Sequence, residues 1–243
     1  MYIIKLNAID STNTYLKAMT SVTLPKDFTV VVAEQQTEGR GQMGTNWQSE
    51  QGKNLTASVF KALKGFNIER QFYISMAVSL AVCKALISLQ IPQLRIKWPN
   101  DILSANKKIC GILIENVIKH NQFQGSVIGF GLNVNQKHFN NLPQASSLTL
   151  LTGNLYNKDE VLSKILTELQ YYFKLLESKN YKELKAQYEA HLFRKDKPST
   201  FKNTSNETFS GIIKGVEDNG KLKVWTENDI VKTFDLKEIT LLY

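Results

Sequence analysis

Gly39-Arg40-Gly41-Gln42-Met43-Gly44 has the glycine spacing of a dinucleotide-binding turn, and the residues directly after it decide how this chain can fold. Such a turn works by presenting a pyrophosphate to the N-terminal amides of a helix that starts directly after the glycines. Here Thr45-Asn46-Trp47-Gln48-Ser49 comes next, then Gly52, with no apolar helical period. A doubly wound dinucleotide fold is thereby excluded. What remains is a glycine-rich loop whose backbone amides can approach a small anion closely. Arg40 adds a fixed charge suited to a carboxylate or phosphate. Taken alone, the segment is also compatible with an ordinary surface loop.

The elements around the loop define an α+β chain. Ser11-Thr12-Asn13-Thr14 before Tyr15, Leu16, Ala18 and Met19 reads as a cap followed by an amphipathic helix. The β-branched run in 28–33 predicts a buried strand, 55–60 an alternating one, and 94–97 a short one. Residues 72–89 carry Ile74, Val78, Leu80, Ala81, Ala85, Leu86 and Leu89 at helical spacing, a long core helix. Residues 101–103 and 108–117 read as a hairpin with Ser104-Ala105-Asn106-Lys107 at its tip, and 126–135 as a further strand. Helices are expected over 159–177 and 181–192. No regular βαβ alternation appears, so the expected architecture is a mixed β-sheet flanked by helices. After residues 194–198 the pattern changes to short strands with tight turns at Asp218-Asn219-Gly220 and Glu227-Asn228-Asp229. This gives residues 1–194 as a catalytic domain and 195–243 as a small, SH3-like β-barrel.

Lys and Arg number 30 against 22 acidic residues, a net charge of +8. A scattered basic surface accounts for this, and anionic partners would use it. Two cysteines, Cys83 and Cys110, exclude a disulfide framework and suit a reducing compartment. The N-terminus has no signal-peptide core, and no apolar run reaches the roughly eighteen residues of a membrane span. A cytoplasmic protein with no membrane partner is expected.

Three further segments carry chemistry. Lys97-Trp98-Pro99-Asn100-Asp101 is a rigid turn in which Pro99 fixes φ and presents an amide beside a carboxylate. That pair can serve a triphosphate and its Mg²⁺, which needs few carboxylates; a purely structural turn with Trp98 in the core is the alternative. Lys108 enters a buried strand just past a hairpin tip, where a lysine can face a pocket, although Lys107 beside it suggests mere solvation. On the same strand Gly111 permits close approach of a ligand, and Cys110, with no histidine nearby, reads as a core residue. Gly129-Phe130-Gly131-Leu132-Asn133 leaves one strand face bare for a flat group, with Asn133 available to a ribose or phosphate; a merely softened strand is the alternative. His120, His138 and His191 have no ligand spacing, and neither a nucleophile elbow nor a Walker loop is present. A loop for a small anion plus a turn for a nucleotide points to joining a carboxylic acid to a nucleotide.

Taken in order, Ser11-Thr12-Asn13, Glu34-Gln35-Gln36, the loop from Gly39 to Trp47, Lys97-Trp98-Pro99-Asn100-Asp101, Lys108-x-x-Gly111-Ile112-Leu113-x-Glu115 and Gly129-x-Gly131-Leu132-Asn133 resemble the biotin protein ligases (biotin–[acetyl-CoA-carboxylase] ligases) over nearly the whole chain. The resemblance implies that biotin and ATP form biotinyl-5′-AMP, and that biotin then passes to a lysine of a biotin carboxyl carrier protein or domain. It implies a biotin site of Ser11, Thr12, Asn13, Gln36, Gly39, Arg40 and Gly111, and an ATP site of Trp47, Asn100, Lys108 and Asn133. Lys108, Arg40 and Asp101 are the implied catalytic groups, with Asp101 also the candidate Mg²⁺ ligand. The chain begins at the catalytic domain, so a form without the DNA-binding arm is expected, with no specific DNA partner and a homodimer left open. Gln42 and Thr45 stand where many members carry arginines, which implies a less tightly held adenylate.

Two other readings compete. A lipoate–protein ligase shares the architecture and the adenylate chemistry. A nucleic-acid-binding regulatory module would use the basic balance and the small barrel, but aromatic–basic interleaving is absent.

Overall fold

The computed structural model describes residues 1–243 as two sheets with helices packed on the larger one. In chain order the elements are β1 (Tyr2–Ile9), α1 (Thr12–Val22), β2 (Thr29–Gln36), β3 (Leu55–Ala62), α2 (Phe72–Ser88), β4 (Leu94–Lys97), β5 (Asp101–Ser104), β6 (Lys107–Lys119), β7 (Gln122–Leu132), α3 (Leu148–Thr152), α4 (Lys158–Glu177) and α5 (Tyr181–Ala190). Five more strands complete the chain: β8 (Pro198–Asn203), β9 (Thr208–Val216), β10 (Leu222–Thr226), β11 (Val231–Phe234) and β12 (Ile239–Leu242).

The large sheet runs β1-β2-β3-β7-β6-β5-β4. It is mixed because β1 and β2 pair in parallel while every other neighbouring pair is antiparallel. A parallel pair needs a crossover, and α1 supplies it. Helix α1 starts at an extended Ser11 whose side chain accepts from the Thr14 amide. β1 lies outside the strands expected from the sequence, since at the sheet edge none of its side chains is buried and only Ile4, Leu6 and Ile9 are half-buried.

Strand side chains alternate between two faces. On one face Val30, Val32, Ala57, Val59, Ile128 and Phe130 join the main core. There α2 lies against the sheet and against α4 and α5. By length and composition α2 with its leading turn could cross a membrane, which the sequence pattern did not suggest, but it is the buried central helix of the core. On the opposite face Val31, Phe60, Val117 and Val127 pack under Leu16 of α1 in a small second cluster. Further along that face the apolar residues give way to Ser58, Gly129, Gly131 and Gly111, and the sheet is left bare.

The second sheet is antiparallel throughout, in the order β11-β10-β9-β8-β12. Its β9–β10 turn grips the helical layer. Tyr73 of α2 and Lys185 of α5 both donate to Asp218, and Trp98 Nε1 donates to the Gly220 carbonyl at 2.8 Å. Gly220 sits at φ +96, and a Cβ there would lie 2.4 Å from the Phe72 ring, so only glycine fits.

Candidate active site

A cavity of about 360 Å³ lies over the bare stretch of the sheet. The N-terminus of α1, the loop after β2, the turn between β4 and β5, strands β6 and β7, and residues of the second sheet all line it.

One end is a neutral cage of donors and acceptors. Gln36 Oε1 accepts from the backbone amide of Thr12 at 2.9 Å and from its hydroxyl at 3.0 Å. Ser58, fully buried on β3, lies 2.7 Å from the Thr12 hydroxyl and 2.6 Å from Asn13 Oδ1. Asn13 Nδ2 donates to Glu115 Oε2 at 3.0 Å. A Cβ on Gly129 would stand 2.2 Å from Asn13 Oδ1, so this asparagine lies directly on the glycine. Glu115 also takes Lys17 at 2.8 Å and Arg40 at 3.4 Å. Burial alone would raise its pKa, but the hydrogen bonds from Lys17 and Asn13 and the nearby cations outweigh burial and hold it below the usual carboxylate value.

The loop from Gly39 to Trp47 folds back on itself. Gly41 N donates to the Thr45 carbonyl at 2.6 Å, and Trp47 N to the Gly39 carbonyl at 2.8 Å. A Cβ at Gly39 would meet the Trp47 carbonyl at 2.2 Å, which explains the glycine. Only a short 3₁₀ turn, Gln42–Gly44, succeeds the glycines, in line with the absence of a helical period. The hairpin brings Trp47 down onto the cross-strand pair Gly111 and Gly131. A Cβ on Gly131 would lie 2.3 Å from the indole, and one on Gly111 3.2 Å from it. Trp47 is thus the flat group on the bare strand face, and its buried Nε1 has no partner.

The other end is cationic. Lys108 Nζ lies 2.7 Å from Asp101 Oδ1 and 5.8 Å from the Trp47 ring centroid. Lys97 reaches the other Asp101 oxygen at 4.0 Å. Burial, more than neighbouring charge, lowers the Lys97 pKa. Arg40, Lys97, Lys108 and Lys237 line the cavity against a single carboxylate, Asp101.

The structure therefore gathers Ser11, Thr12, Asn13, Gln36, Arg40, Trp47, Asn100, Asp101, Lys108 and Gly111 around one cavity, with Gly39 holding the loop's closure. Asn100 lines the cavity, where one of its two Nδ2 hydrogens goes to the Ile112 carbonyl at 2.7 Å and fastens the turn to β6. One expected contact needs correction. Asn133 is buried behind the lining, with Nδ2 on the Ser146 carbonyl at 2.9 Å; its Oδ1 has no partner. Cys110 is a core residue whose thiol pKa is raised by burial, as its neighbourhood in sequence suggested. Asp101 offers a metal one carboxylate already matched by two lysines, and no group of three or more His, Cys, Asp or Glu side chains converges anywhere.

Sequence reasoning missed Ser58, the joining role of Glu115, and Leu236, Lys237 and 239–241 of the second sheet. Ser58 had a readable signal: a hydroxyl between Ala57 and Val59 in a largely apolar strand needs a partner.

Residues 6–133 match the model of the biotin/lipoate A/B protein ligase family. A bifunctional ligase/repressor BirA from Bacillus subtilis is 29% identical over 211 residues, 85% of this chain, and this chain spans 64% of that relative's length. A biotin–[acetyl-CoA-carboxylase] ligase from Mycobacterium tuberculosis is 29% identical over 216 residues, covering 87% of this chain and 79% of the relative. Among solved structures, a biotin protein ligase from Aquifex aeolicus in complex with biotin and ATP superposes with a TM-score of 0.82 at 27% identity, covering 99% of this chain and 98% of that one. With more than half of its residues under the family model and most of the cavity lining on those same segments, this chain belongs to the biotin/lipoate A/B protein ligase family.

Proposed function

We propose that this chain is an ATP-dependent biotin–protein ligase. The observation that carries the reading is the pairing, in one cavity, of a polar cage at Thr12, Asn13 and Gln36, backed by the buried Ser58, with a cationic end at Lys108. A ureido ring both donates and accepts and would exchange hydrogen bonds with the cage. The apolar ring of lipoate has no donor or acceptor to exchange with these hydrogen-bonded groups, so a polar cage offers it no matching contact. This favours biotin over lipoate within a family that includes both.

In the first step a biotin carboxylate oxygen attacks the α-phosphorus of ATP, a P–O bond forms, and pyrophosphate leaves. Charge grows on the phosphate oxygens, and Lys108 with Arg40 is placed to stabilise it more in the transition state than before it. In the second step a carrier lysine, as the free amine, attacks the acyl carbon and AMP departs. Asp101 is the carboxylate positioned to orient that amine. The Trp47 indole over Gly111 and Gly131 would lie against the bound adenylate and keep water from the mixed anhydride.

Mg²⁺ is part of the reading as an ion that travels with the nucleotide. Asp101 alone does not make a protein-built cation site, so no step here depends on one. We also take residues 195–243 as a separate SH3-like domain, a biotin carboxyl carrier domain as the acceptor, and the cytoplasm as the compartment. The five short antiparallel strands support the domain division.

The test is incubation of the chain with biotin, ATP–Mg²⁺ and a biotin carboxyl carrier domain, followed by intact mass measurement. One biotinyl addition on the carrier is expected. Labelling by lipoate instead of biotin, or no labelling, would overturn the reading.

A further inference from the structure

Four cations line the cavity, and three of them already face a carboxylate: Arg40 faces Glu115 at 3.4 Å, while Lys97 and Lys108 share Asp101 at 4.0 and 2.7 Å. Lys237 has no carboxylate partner. It comes from the second sheet, in the link between β11 and β12, and holds a left-handed conformation at φ 67. It is exposed while lining the cavity, which puts it at the mouth. Its one hydrogen bond is long, 3.5 Å from Nζ to the carbonyl of Met43, the residue at φ 53 in the loop over the site.

This arrangement leaves one strong charge uncommitted. Arg40, Lys97 and Lys108 each sit against a carboxylate, Glu115 or Asp101, that an incoming triphosphate would have to compete with. A lysine held only by a stretched bond to a carbonyl gives up little when it turns to an anion, and a charge-assisted bond to phosphate is shorter and stronger. Resting on the ligase reading above, we propose that Lys237 is a polyphosphate-binding residue of this site. It holds the outer phosphates of ATP and then the departing pyrophosphate, while its reach to Met43 ties the second sheet to the loop that covers them.

Calorimetric binding of ATP, pyrophosphate and biotin to the full chain tests this with Lys237→Met, Lys237→Arg and Lys237→Glu. The side chain is exposed, so folding is not at stake, and equal unfolding temperatures would verify that. Lys237→Met should weaken ATP and pyrophosphate about tenfold each, the range of a lost bond to a charged group. Biotin affinity should stay within about twofold, because the cage lies at the other end. Lys237→Arg should recover most of the loss and Lys237→Glu should deepen it. Unchanged ATP and pyrophosphate affinity in Lys237→Met, or equal loss of biotin affinity, overturns the assignment. Because the readout is direct binding, it stands apart from carrier labelling: a wild-type chain that binds ATP but labels no carrier fails the ligase reading and leaves Lys237 judged on its own. A wild-type chain that binds no ATP overturns both.

Discussion

Lys108 and Asp101 meet at 2.7 Å although they are not cross-strand partners: Asp101 pairs with Gly111, and Lys108 with Leu103. The register between β5 and β6 shifts between these pairs. Residue 108 would otherwise point to the face opposite Gly111, since strand faces alternate. The irregularity turns Ile109 and Cys110 both into the core and swings Lys108 onto the cavity face beside Asp101. Lys108→Ala is expected to lower adenylate formation by about 10²-fold or more, as for loss of one oriented donor. Biotin-dependent exchange of labelled pyrophosphate into ATP measures this, and a near-normal exchange rate would refute the role of Lys108.

A methyl group at Gly131 would stand 2.3 Å from the Trp47 indole. Gly131→Ala should therefore lift Trp47 off the sheet, loosen the loop from Gly39 to Trp47, and weaken nucleotide binding while the core stays intact. Faster limited proteolysis within the loop, together with lower ATP affinity by calorimetry, would bear this out. A protected loop would count against it.

Glu115 joins α1, the loop and β6 through Lys17, Asn13 and Arg40. Its folded pKa lies below the ordinary 4.5. A carboxylate so shifted stabilises the fold fully above its unfolded pKa and loses that contribution as pH falls through the folded value. Acid unfolding should thus steepen below about pH 4.5. Glu115→Gln should be less stable at neutral pH and show a flatter decline in acid, followed by circular dichroism. Parallel acid curves for the two proteins would contradict this.

Trp98 Nε1 holds the Gly220 carbonyl at 2.8 Å, and Tyr73 holds Asp218 at 2.9 Å. The same Trp98 begins the turn that carries Asp101, so the second sheet helps to set the cationic end. Trp98→Phe removes one hydrogen bond, about 1 kcal/mol, and should lower the unfolding temperature by about 2–4 °C in a chain of this size. Scanning calorimetry tests the stability, and a rise in KM for ATP without change in biotin affinity tests the positional part.

Features that depend on neighbouring residues alone were legible in the sequence. Helix α2 and strand β4 are local patterns, and they appear where Ile74 to Leu86 and Leu94 to Lys97 predict them. The cap at Ser11 and the tip at Ala105 and Asn106, both at positive φ, are local chemistry as well. The gathering of Thr12, Gln36, Arg40, Asp101 and Lys108 was accessible through the family resemblance of the segments that carry them. The anchoring of the turn by Asn100 was not, because it depends on where the Ile112 carbonyl lies in the neighbouring strand. Nor was Lys237, whose neighbours in sequence give no hint that the second sheet returns to a loop some two hundred residues earlier. The edge strand β1 was missed because a half-exposed strand paired on one side has a weak apolar pattern.

The cavity draws its lining from Ser11 near the start of the chain to Leu241 near its finish. A growing polypeptide therefore has no complete binding site until β12 has emerged and docked. Synthesis products that stop short of β12 lack one wall of the pocket, and any ligand that needs that wall reports only on molecules folded through that strand.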